Sequence, residues 1–512
     1  MSFDVKTAWP WAVFFSLVLL ANVVQRRRKY ARLPPGPTAL PIVGNLLDFP
    51  RKHLGREFAQ MARKYGDVVY LNVLGQDTVV LGSLKAARDL LEKRSANYSN
   101  RPTSVMVQLY VGYEWLFVLM DYGARWRQHR RAVRPTMAPD YHAFYMDAAR
   151  NLLRLVLQDP QELGSHIRFT FAKIAMGTIY GIEIREPNDK YYRMIERMGD
   201  VGEEIIVPGR FPVEAFPALR YLPSWFPGGG FKRWAADAKR DISRAVDGLF
   251  ETAKSGMTTD SDSSRRPMIR QILGDSASQG DEELQKICKE VAATMYVAGA
   301  DTASSNATMG AFFLAMAMYP EVQKKAQQQL DAVVGTERLP DFSDRPSLPY
   351  IAAIVKELLR WHPATPMSAP HRILADDEYK GYLIPAGTSV FVNIWDIMRD
   401  PEVYSQPEDF VPECFLDSAG KLAIHGRDPA DVVFGLGRRI CPGRHFADAV
   451  LFILCASVLS AFEIGPPIGE DGAPTPFTRE ASDHCMVSHP KVHKYTMKPR
   501  SAHIERLVEM AR

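Results

Sequence analysis

One loop near the C-terminus carries the residues best suited to chemistry, Phe434-Gly-Leu-Gly-Arg-Arg-Ile-Cys441-Pro-Gly443. Cys441 precedes an apolar run from Phe446 to Phe462, which predicts a helix. Glycines let the loop turn tightly and come close to a flat ligand, while a helix N-terminus and nearby arginines favour a thiolate. A single thiolate without a partner cysteine suits a haem iron better than zinc, which takes four ligands.

The loop resembles the haem-binding loop of the cytochrome P-450 family of haem-thiolate monooxygenases. The family pattern fixes five positions, which are filled here by Phe434, Gly437, Arg439, Cys441 and Gly443. A buried structural cysteine would explain one loop, but it does not explain the companion motifs. The resemblance implies a haem b ligated by Cys441, whose thiolate pushes electron density to iron and favours O–O cleavage.

The second motif is the short basic segment Trp126-Arg-Gln-His-Arg130. Trp126 and Arg130 are four residues apart and therefore share one face of a helix. An ordinary amphipathic helix with a basic side is the alternative. The resemblance implies instead that both side chains bind a haem carboxylate, while Arg127 and Arg131 face elsewhere.

A long helix is predicted from about Glu282 to Met318, before Pro320. Its middle, Ala298-Gly299-Ala-Asp301-Thr302, has small residues that let a planar cofactor and oxygen approach the backbone. A helix-packing patch is the alternative. In the family this is the oxygen-activation segment, which implies a proton relay through the Thr302 hydroxyl, fed by Asp301.

Glu357 and Arg360 place opposite charges three residues apart, as many surface helices do. The resemblance implies a buried pair that ties this helix to the loop below the haem, and a haem-carboxylate contact for His371. The family usually has Arg where this chain has Cys414. That Arg completes a buried triad, so its loss removes charge-assisted hydrogen bonds from Glu357. Arg427 is a candidate replacement.

The composition indicates one large domain. The chain has 512 residues and 46% apolar content, and its motifs spread over one continuous span. The resemblance implies the cytochrome P-450 fold, mainly α with a smaller β region. Sixty-three basic and 59 acidic residues give a net charge of +4, too mild to indicate nucleic acid as a partner. Five cysteines, an odd and sparse set, fit a reducing compartment.

A second candidate metal site lies near the C-terminus and comprises His484, Cys485, His489 and His493. Pro490 breaks any helix that would align these side chains, and an extended segment would alternate their faces. Zinc is therefore disfavoured at this position.

The N-terminus carries a predicted membrane anchor. Residues Ala8 to Val24 are uncharged and apolar, and Arg26 to Lys29 follow directly. A cleavable signal peptide would carry its charge before the apolar run, so we expect an uncleaved single-pass anchor with a cytosolic catalytic domain. Resemblance to eukaryotic members implies the endoplasmic reticulum membrane. The predicted division is an anchor with its basic stop at 1–32, a proline-rich hinge at 33–37 and the catalytic domain at 38–512.

Residue patterns predict several further elements. Gly66–Leu81 reads as a hairpin, and a second hairpin is expected around Tyr379–Val392 with its turn at Pro385-Ala-Gly387. Thr103–Tyr122 lacks sustained periodicity and reads as an apolar loop. Lys254–Asp281, rich in Ser, Asp and Gly, reads as a flexible connection.

These patterns together predict a membrane-anchored monooxygenase, most like fungal members that act on secondary metabolites. It would insert one oxygen atom into a small apolar substrate, with electrons from NADPH through NADPH-cytochrome P-450 reductase and cytochrome b5 as a second candidate donor. Phe211–Trp225, punctuated by prolines, suits a substrate-access lid or a membrane-dipping face. The alternatives are a haem-thiolate isomerase or dehydratase that needs no external electrons, and a noncatalytic haem-binding membrane protein. Asp301 and Thr302 disfavour both.

Overall fold

The computed structural model describes residues 32–133, 141–206, 210–259, 266–274, 281–301, 303–469, 473–475, 481–482, 487–491 and 493–510. Helices dominate, as the sequence predicts. In chain order they are α1 Leu54–Tyr65, α2 Leu84–Arg88, α3 Ser95–Tyr98, α4 Ala124–Val133, α5 His142–Gln158, α6 Leu163–Ala175, α7 Lys190–Ile206, α8 Pro212–Ala215, α9 Phe231–Thr259, α10 Met268–Leu273, α11 Glu282–Tyr296, α12 Ala303–Met318, α13 Pro320–Val333, α14 Pro349–Trp361, α15 Ile394–Ile397, α16 Ala430–Val433, α17 Arg444–Ala461 and α18 Ala502–Met510.

Short tight and wide helical turns connect these helices. The wide, π-helical turns are Asp89–Lys93, Met106–Val111, Met176–Tyr180 and Val297–Asp301. The tight, 3-10 turns are Pro160–Glu162, Pro217–Tyr221, Arg345–Ser347, Pro412–Phe415 and Gly437–Arg439. Wide turns inside helices are frequent at functional sites, and the last of them interrupts the long helix predicted from Glu282 to Met318.

The strands are short and form small sheets, which confirms the smaller β region. They are β1 Val68–Val73, β2 Gln76–Leu81, β3 His371–Arg372, β4 Asp377–Tyr379, β5 Tyr382–Ile384, β6 Ser389–Val392, β7 Phe462–Gly465, β8 Ala481–Ser482, β9 His489–Pro490 and β10 Thr496–Pro499. The largest sheet has the order β1-β2-β6-β3, with β2 and β6 parallel. The remaining pairs are β4 with β5, β7 with β10 and β8 with β9.

The first hairpin is as predicted, and the second turns elsewhere. β1 and β2 pair from Val68 with Leu81 to Val73 with Gln76. In the second hairpin β4 and β5 turn at Lys380 and Gly381, with φ of 53° and 82°, the left-handed pair that a two-residue hairpin turn needs. The predicted turn at Pro385-Ala-Gly387 instead leads the chain into β6, which joins the larger sheet.

Two segments predicted as loops contain helical structure. Helix α9 continues to Thr259, and α10 buries Met268, Ile269 and Leu273 within the predicted flexible connection. Within Thr103–Tyr122 the turn Met106–Val111 is helical because a distant carboxylate, Glu214, accepts hydrogen bonds from its first amides. Such a tertiary cap cannot be read from local periodicity.

The apolar core is built around α17, the helix that follows the Cys441 loop. Residues 449–461 of α17 are all buried, and α17 packs against α5, α13 and α14 in the largest apolar cluster. Within the described ranges, α17 is the one helix long and apolar enough to span a membrane, and most of it is buried. It therefore has the character of a core helix. The predicted anchor at Ala8–Val24 lies outside the described residues.

Candidate active site

The Cys441 loop is held by its own main chain. The amide of Cys441 donates to the carbonyl oxygen of Phe434 at 2.7 Å. Gly435 and Gly437 have φ of 78° and 63°, where residues with a side chain are rarely found. A Cβ at Gly437 would also lie 2.0 Å from the carbonyl oxygen of Leu91. The loop is thus clamped against the π-helical turn that follows α2, and glycine is required at Gly437 for two independent reasons.

The Cys441 thiol lies just before α17, and the residue is partly exposed. Burial raises its pKa, while the amide of Gly443 and the charges of Arg130 and Arg444 oppose that rise. The sequence prediction that a helix N-terminus and arginines favour the thiolate is therefore right in direction for those groups, but burial outweighs them. A coordinated metal ion deprotonates a thiol, so this sulfur suits a metal ligand better than a free nucleophile.

Arg439 joins the loop to the segment before α4. Its Nε donates to the carbonyl oxygen of Ser99 at 2.7 Å, and its Nη2 donates to that of Met120 at 2.6 Å. Its guanidinium lies 4.8 Å from the ring centroid of Trp126, which is buried. Burial lowers the pKa of Arg439 to about 10, and the charge of Arg130 adds to this effect. The structure thus brings Trp126, Arg130 and Arg439 together.

Arg101 is a further member of this cluster that sequence reasoning missed. Its Nη1 donates to the carbonyl oxygens of Ala369 at 2.8 Å and Pro370 at 2.7 Å. Burial lowers the pKa of Arg101 to about 9, with a further decrease from the charge of Arg439. Its partners lie 268 and 269 residues further along the chain, so no local pattern marks it.

His371 faces the same two arginines from strand β3. Its Nδ1 lies 2.7 Å from the carbonyl oxygen of Tyr98, which fixes the ring and assigns the proton of a neutral imidazole to Nδ1. Burial lowers the pKa of His371 to about 3, and the charges of Arg101 and Arg439 contribute. A carboxylate placed in this cluster would act in the opposite direction and raise that pKa.

This cationic cluster fits the carboxylates of a haem. Within the described ranges, the side-chain hydrogen bonds of Arg101 and Arg439 end on main-chain carbonyls, and no carboxylate accepts one. The charge of Asp121 offsets only part of the burial effect on Arg439, and buried like charges are costly. Haem b carries two propionates, and a cysteine thiolate is one of its known protein ligands, so the cluster together with the Cys441 sulfur suits it.

The wide turn Val297–Asp301 has open space beside it. Residues 291–296 are all buried, yet Ala298 is exposed and a Cβ added at Gly299 would meet no atom within 4 Å. A flat cofactor can therefore approach the helix here, as expected from the small residues. Thr302 lies outside the described residues, and the side chain of Asp301 is likewise not described.

Glu357 and Arg360 form a buried ion pair rather than a surface one. Their side chains are 0% and 1% exposed, and Arg360 Nε and Nη2 donate to the two carboxylate oxygens at 2.6 Å and 2.7 Å. Arg360 also donates to the carbonyl oxygens of Pro407 and Asp409, at 2.7 Å and 2.6 Å. Helix α14 is thereby tied to the chain that precedes the Cys441 loop.

Cys414 takes the place of the expected third cation beside Glu357. Its Sγ lies 3.8 Å from Glu357 Oε2, and the amide of Val411 donates to Oε1 at 2.7 Å. Burial raises the pKa of Glu357 even though Arg360 opposes the shift. Arg427 does not replace the missing arginine, since it donates to the carbonyl oxygen of Ile397 and to Asp400.

The disfavoured zinc site receives no support. His484 and Cys485 lie outside the described residues, and His489 and His493 line a surface cleft with Asn306 and Tyr495. The part of the chain that the structure describes has no group of three or more His, Cys, Asp or Glu side chains that could hold a metal ion.

The fold and this site define the class of protein. The sequence model described as Cytochrome P450 matches residues 34–496, so the chain belongs to the cytochrome P450 family. Curated relatives include Cytochrome P450 monooxygenase COX1 from Coprinopsis cinerea, 39% identical over 465 residues and 89% of each chain. COX2 from the same fungus is 38% identical over 494 residues, which cover 95% of this chain and 93% of the relative.

A third relative is named by its substrate. Tryptamine 4-monooxygenase from Psilocybe cyanescens is 38% identical over 461 residues, which cover 88% of this chain and 89% of the relative. Monooxygenases of fungi therefore match nearly the whole chain, and the protein is an oxidoreductase of the monooxygenase class.

Proposed function

We propose that this protein is a haem-thiolate monooxygenase of secondary metabolism that inserts one oxygen atom from O2 into an apolar small molecule. Electrons come from NADPH through NADPH-cytochrome P450 reductase. The observation that carries the proposal is that the charge of Arg130 acts on both the Cys441 thiol and Arg439, so the thiol lies close to the buried cationic cluster.

The residues of the chain divide the work around the cofactor. When bound, haem supplies the redox-active iron at which dioxygen is reduced and one oxygen atom is transferred. Cys441 would hold the iron through its sulfur. Arg101, Arg439, His371, Trp126 and Arg130 would bind the haem carboxylates and so orient the cofactor. Asp301 and Thr302 are assigned to the delivery of protons.

An apolar substrate is supported by the walls near the wide turn. The turn Met106–Val111 and helices α7 and α9 form an apolar cluster that includes Met106, Val111 and Phe211, and Val297 packs against it. Such walls favour apolar ligands. One relative is named Tryptamine 4-monooxygenase, but that name does not assign a substrate to this protein.

Membrane attachment is supported by two exposed apolar segments. Tyr221 and Trp225 are 73% and 76% exposed in the proline-rich segment, and Ile42 is 94% exposed just after the predicted hinge. Both segments flank the first hairpin, because Gly44 pairs with Val73 and Gln76 donates to the carbonyl oxygen of Glu214. Aromatic side chains of this kind suit a membrane interface. We assign the endoplasmic reticulum membrane, with the catalytic domain in the cytosol.

The test compares fungal hosts that express the wild type or Cys441→Ser, each with and without a cytochrome P450 reductase. Untargeted metabolite profiles under ¹⁸O2 should show products that carry one labelled oxygen only with the wild type and the reductase. Products without label that form independently of reductase would instead indicate an isomerase or dehydratase.

A further inference from the structure

A buried charged link connects helices α4 and α11. His129 of α4 is 0% exposed, and its Nε2 lies 2.7 Å from Oε2 of Glu290 on α11. Its Nδ1 lies 2.8 Å from the carbonyl oxygen of Arg125. The guanidinium of Arg125 donates to both carboxylate oxygens of Glu290 at 3.0 Å. One carboxylate thus accepts hydrogen bonds from two side chains of the neighbouring helix.

Both nitrogens of the His129 ring lie against oxygen atoms. Nδ1 faces a main-chain carbonyl of its own helix, and Nε2 faces the carboxylate of Glu290. Although burial alone would raise it, hydrogen bonds from His129 and Arg125 hold the pKa of Glu290 below its usual range. The ring is therefore fixed between the main chain of α4 and the carboxylate of α11.

The link lies between the two halves of the candidate haem site. His129 is adjacent to Arg130 and three residues from Trp126, the α4 residues assigned to a haem carboxylate. Glu290 is seven residues, about two helical turns, before Val297, where the wide turn beside Gly299 begins. Charge-assisted hydrogen bonds are short and directional, so this carboxylate sets the spacing and register of α4 against α11.

We propose that His129 and Glu290 are positioning residues, in which a buried, hydrogen-bonded histidine–carboxylate pair holds the haem-carboxylate residues of α4 at a fixed distance from the wide turn of the long helix. The inference rests on the proposed function, since it assigns α4 to haem binding. It adds a role for two buried polar groups that do not themselves touch the cofactor or the substrate.

The hydrogen bond between His129 and Glu290 is tested on the full-length, haem-loaded protein with ¹⁵N-labelled histidine. Nuclear magnetic resonance should show one slowly exchanging imidazole N–H proton, because the His129 ring is buried and hydrogen-bonded. That signal should disappear in His129→Gln and exchange faster in Glu290→Gln. A rapidly exchanging His129 ring in the wild type would overturn the proposal.

The positioning role is tested by the rate at which haem transfers to apomyoglobin. Removing one partner of this buried pair should raise that rate about tenfold in His129→Phe and Glu290→Gln. Lys289→Ala breaks an exposed ion pair of α11 with Asp247, and it should leave the rate unchanged. Leu153→Ala, in another part of the core, lowers the melting temperature without touching the link. Haem loss in the link variants should exceed that of Leu153→Ala at equal melting temperature.

Two failures are distinguishable. If the reduced carbon monoxide complex of the wild type lacks a strongly red-shifted Soret band, the proposed function is wrong. If that band is present but the link variants lose haem no faster than Lys289→Ala, the function stands and the positioning role is wrong. Should either single variant fail to fold, the neutral double variant His129→Gln/Glu290→Gln leaves no buried charge unpaired, and it must still lose haem faster than Lys289→Ala.

Discussion

At the scale of single residues, the candidate site depends on buried cations that lack a carboxylate partner among the described residues. Arg101 and Arg439 donate to main-chain carbonyls. The charge of Arg439 disfavours the charged form of Arg101, and that of Arg130 disfavours the charged form of Arg439, which a haem with two carboxylates would reverse. His371 faces them as a neutral ring with its proton on Nδ1. The site is thus electrostatically incomplete without an anionic ligand, in keeping with haem b.

Arg101→Ala should weaken haem retention. The substitution removes a carboxylate-binding cation and leaves the carbonyl oxygens of Ala369 and Pro370 unsatisfied, at roughly 1–3 kcal/mol of unfolding free energy. The haem content after gel filtration and the chemical unfolding midpoint measure both effects. Arg32→Ala, which breaks an exposed ion pair with Glu378, is the control. Equal haem content in the two variants would remove Arg101 from the site.

Thr302→Ala should separate proton delivery from cofactor binding. The variant keeps Cys441, so the red-shifted spectrum of the reduced carbon monoxide complex should remain. Without the hydroxyl, NADPH consumption should continue with less product and more hydrogen peroxide. Peroxide formed per NADPH consumed is the measurement, and unchanged coupling would refute the role assigned to Thr302.

At the scale of elements, the buried ion pair of α14 holds the chain that leads to the Cys441 loop. Glu357 is satisfied by Arg360, by the amide of Val411 and by the weak donor Cys414. Burial raises the pKa of Glu357, so a further positive charge beside it would favour its ionised form. Burial raises the pKa of the Cys414 thiol to about 12. The thiol therefore keeps its proton and donates to Glu357.

Cys414→Arg should therefore be neutral or stabilising for haem retention. A second guanidinium near Glu357 would add charge-assisted hydrogen bonds to a carboxylate that now has one cation. Thermal unfolding followed at the Soret band provides the measurement, with Cys414→Ala as the matched variant that adds no charge. Marked haem loss in Cys414→Arg alone would show that the pocket is already filled.

At the scale of the whole molecule, we expect the exposed apolar segments and the predicted anchor to contact the same membrane. A protein that starts at Leu33 should fold and bind haem, yet still partition to lipid vesicles through the segment around Trp225. Flotation with vesicles measures this, and Trp225→Ser/Phe226→Ser should reduce it severalfold. Full solubility of the truncated protein would contradict the proposed second contact.

Orientation in the membrane is poorly tested by the glycosylation sequon Asn97-Tyr-Ser99, because the folded chain holds its asparagine. The Asn97 amide donates to the carbonyl oxygen of Ala375 and accepts from the amides of Leu374 and Ala375, so the fold already occupies it. Digestion of sealed microsomes is more direct. A cytosolic domain should be cleaved without detergent, whereas protection of the domain would reverse the predicted topology.

Sequence patterns predict those parts of the fold that depend on local periodicity or on motifs. The first hairpin, the helix after Cys441 and the long helix from Glu282 follow from residue spacing alone. The Met106–Val111 turn and Arg101 do not, because their partners Glu214 and Ala369 lie far along the chain. The motif residues Trp126, Arg439 and His371 could be identified from the family pattern, but their convergence required the fold.

The central claim is that Cys441 ligates the iron of a bound haem. The reduced carbon monoxide spectrum of Cys441→Ser tests this claim most directly. The wild type should show a strongly red-shifted Soret band, because the thiolate is a soft and electron-rich donor. Cys441→Ser should lose that band and all NADPH-dependent oxygenation, while Cys455→Ser, in the buried core of α17, should keep the band in whatever fraction folds. A red-shifted band that persists in Cys441→Ser would contradict the account.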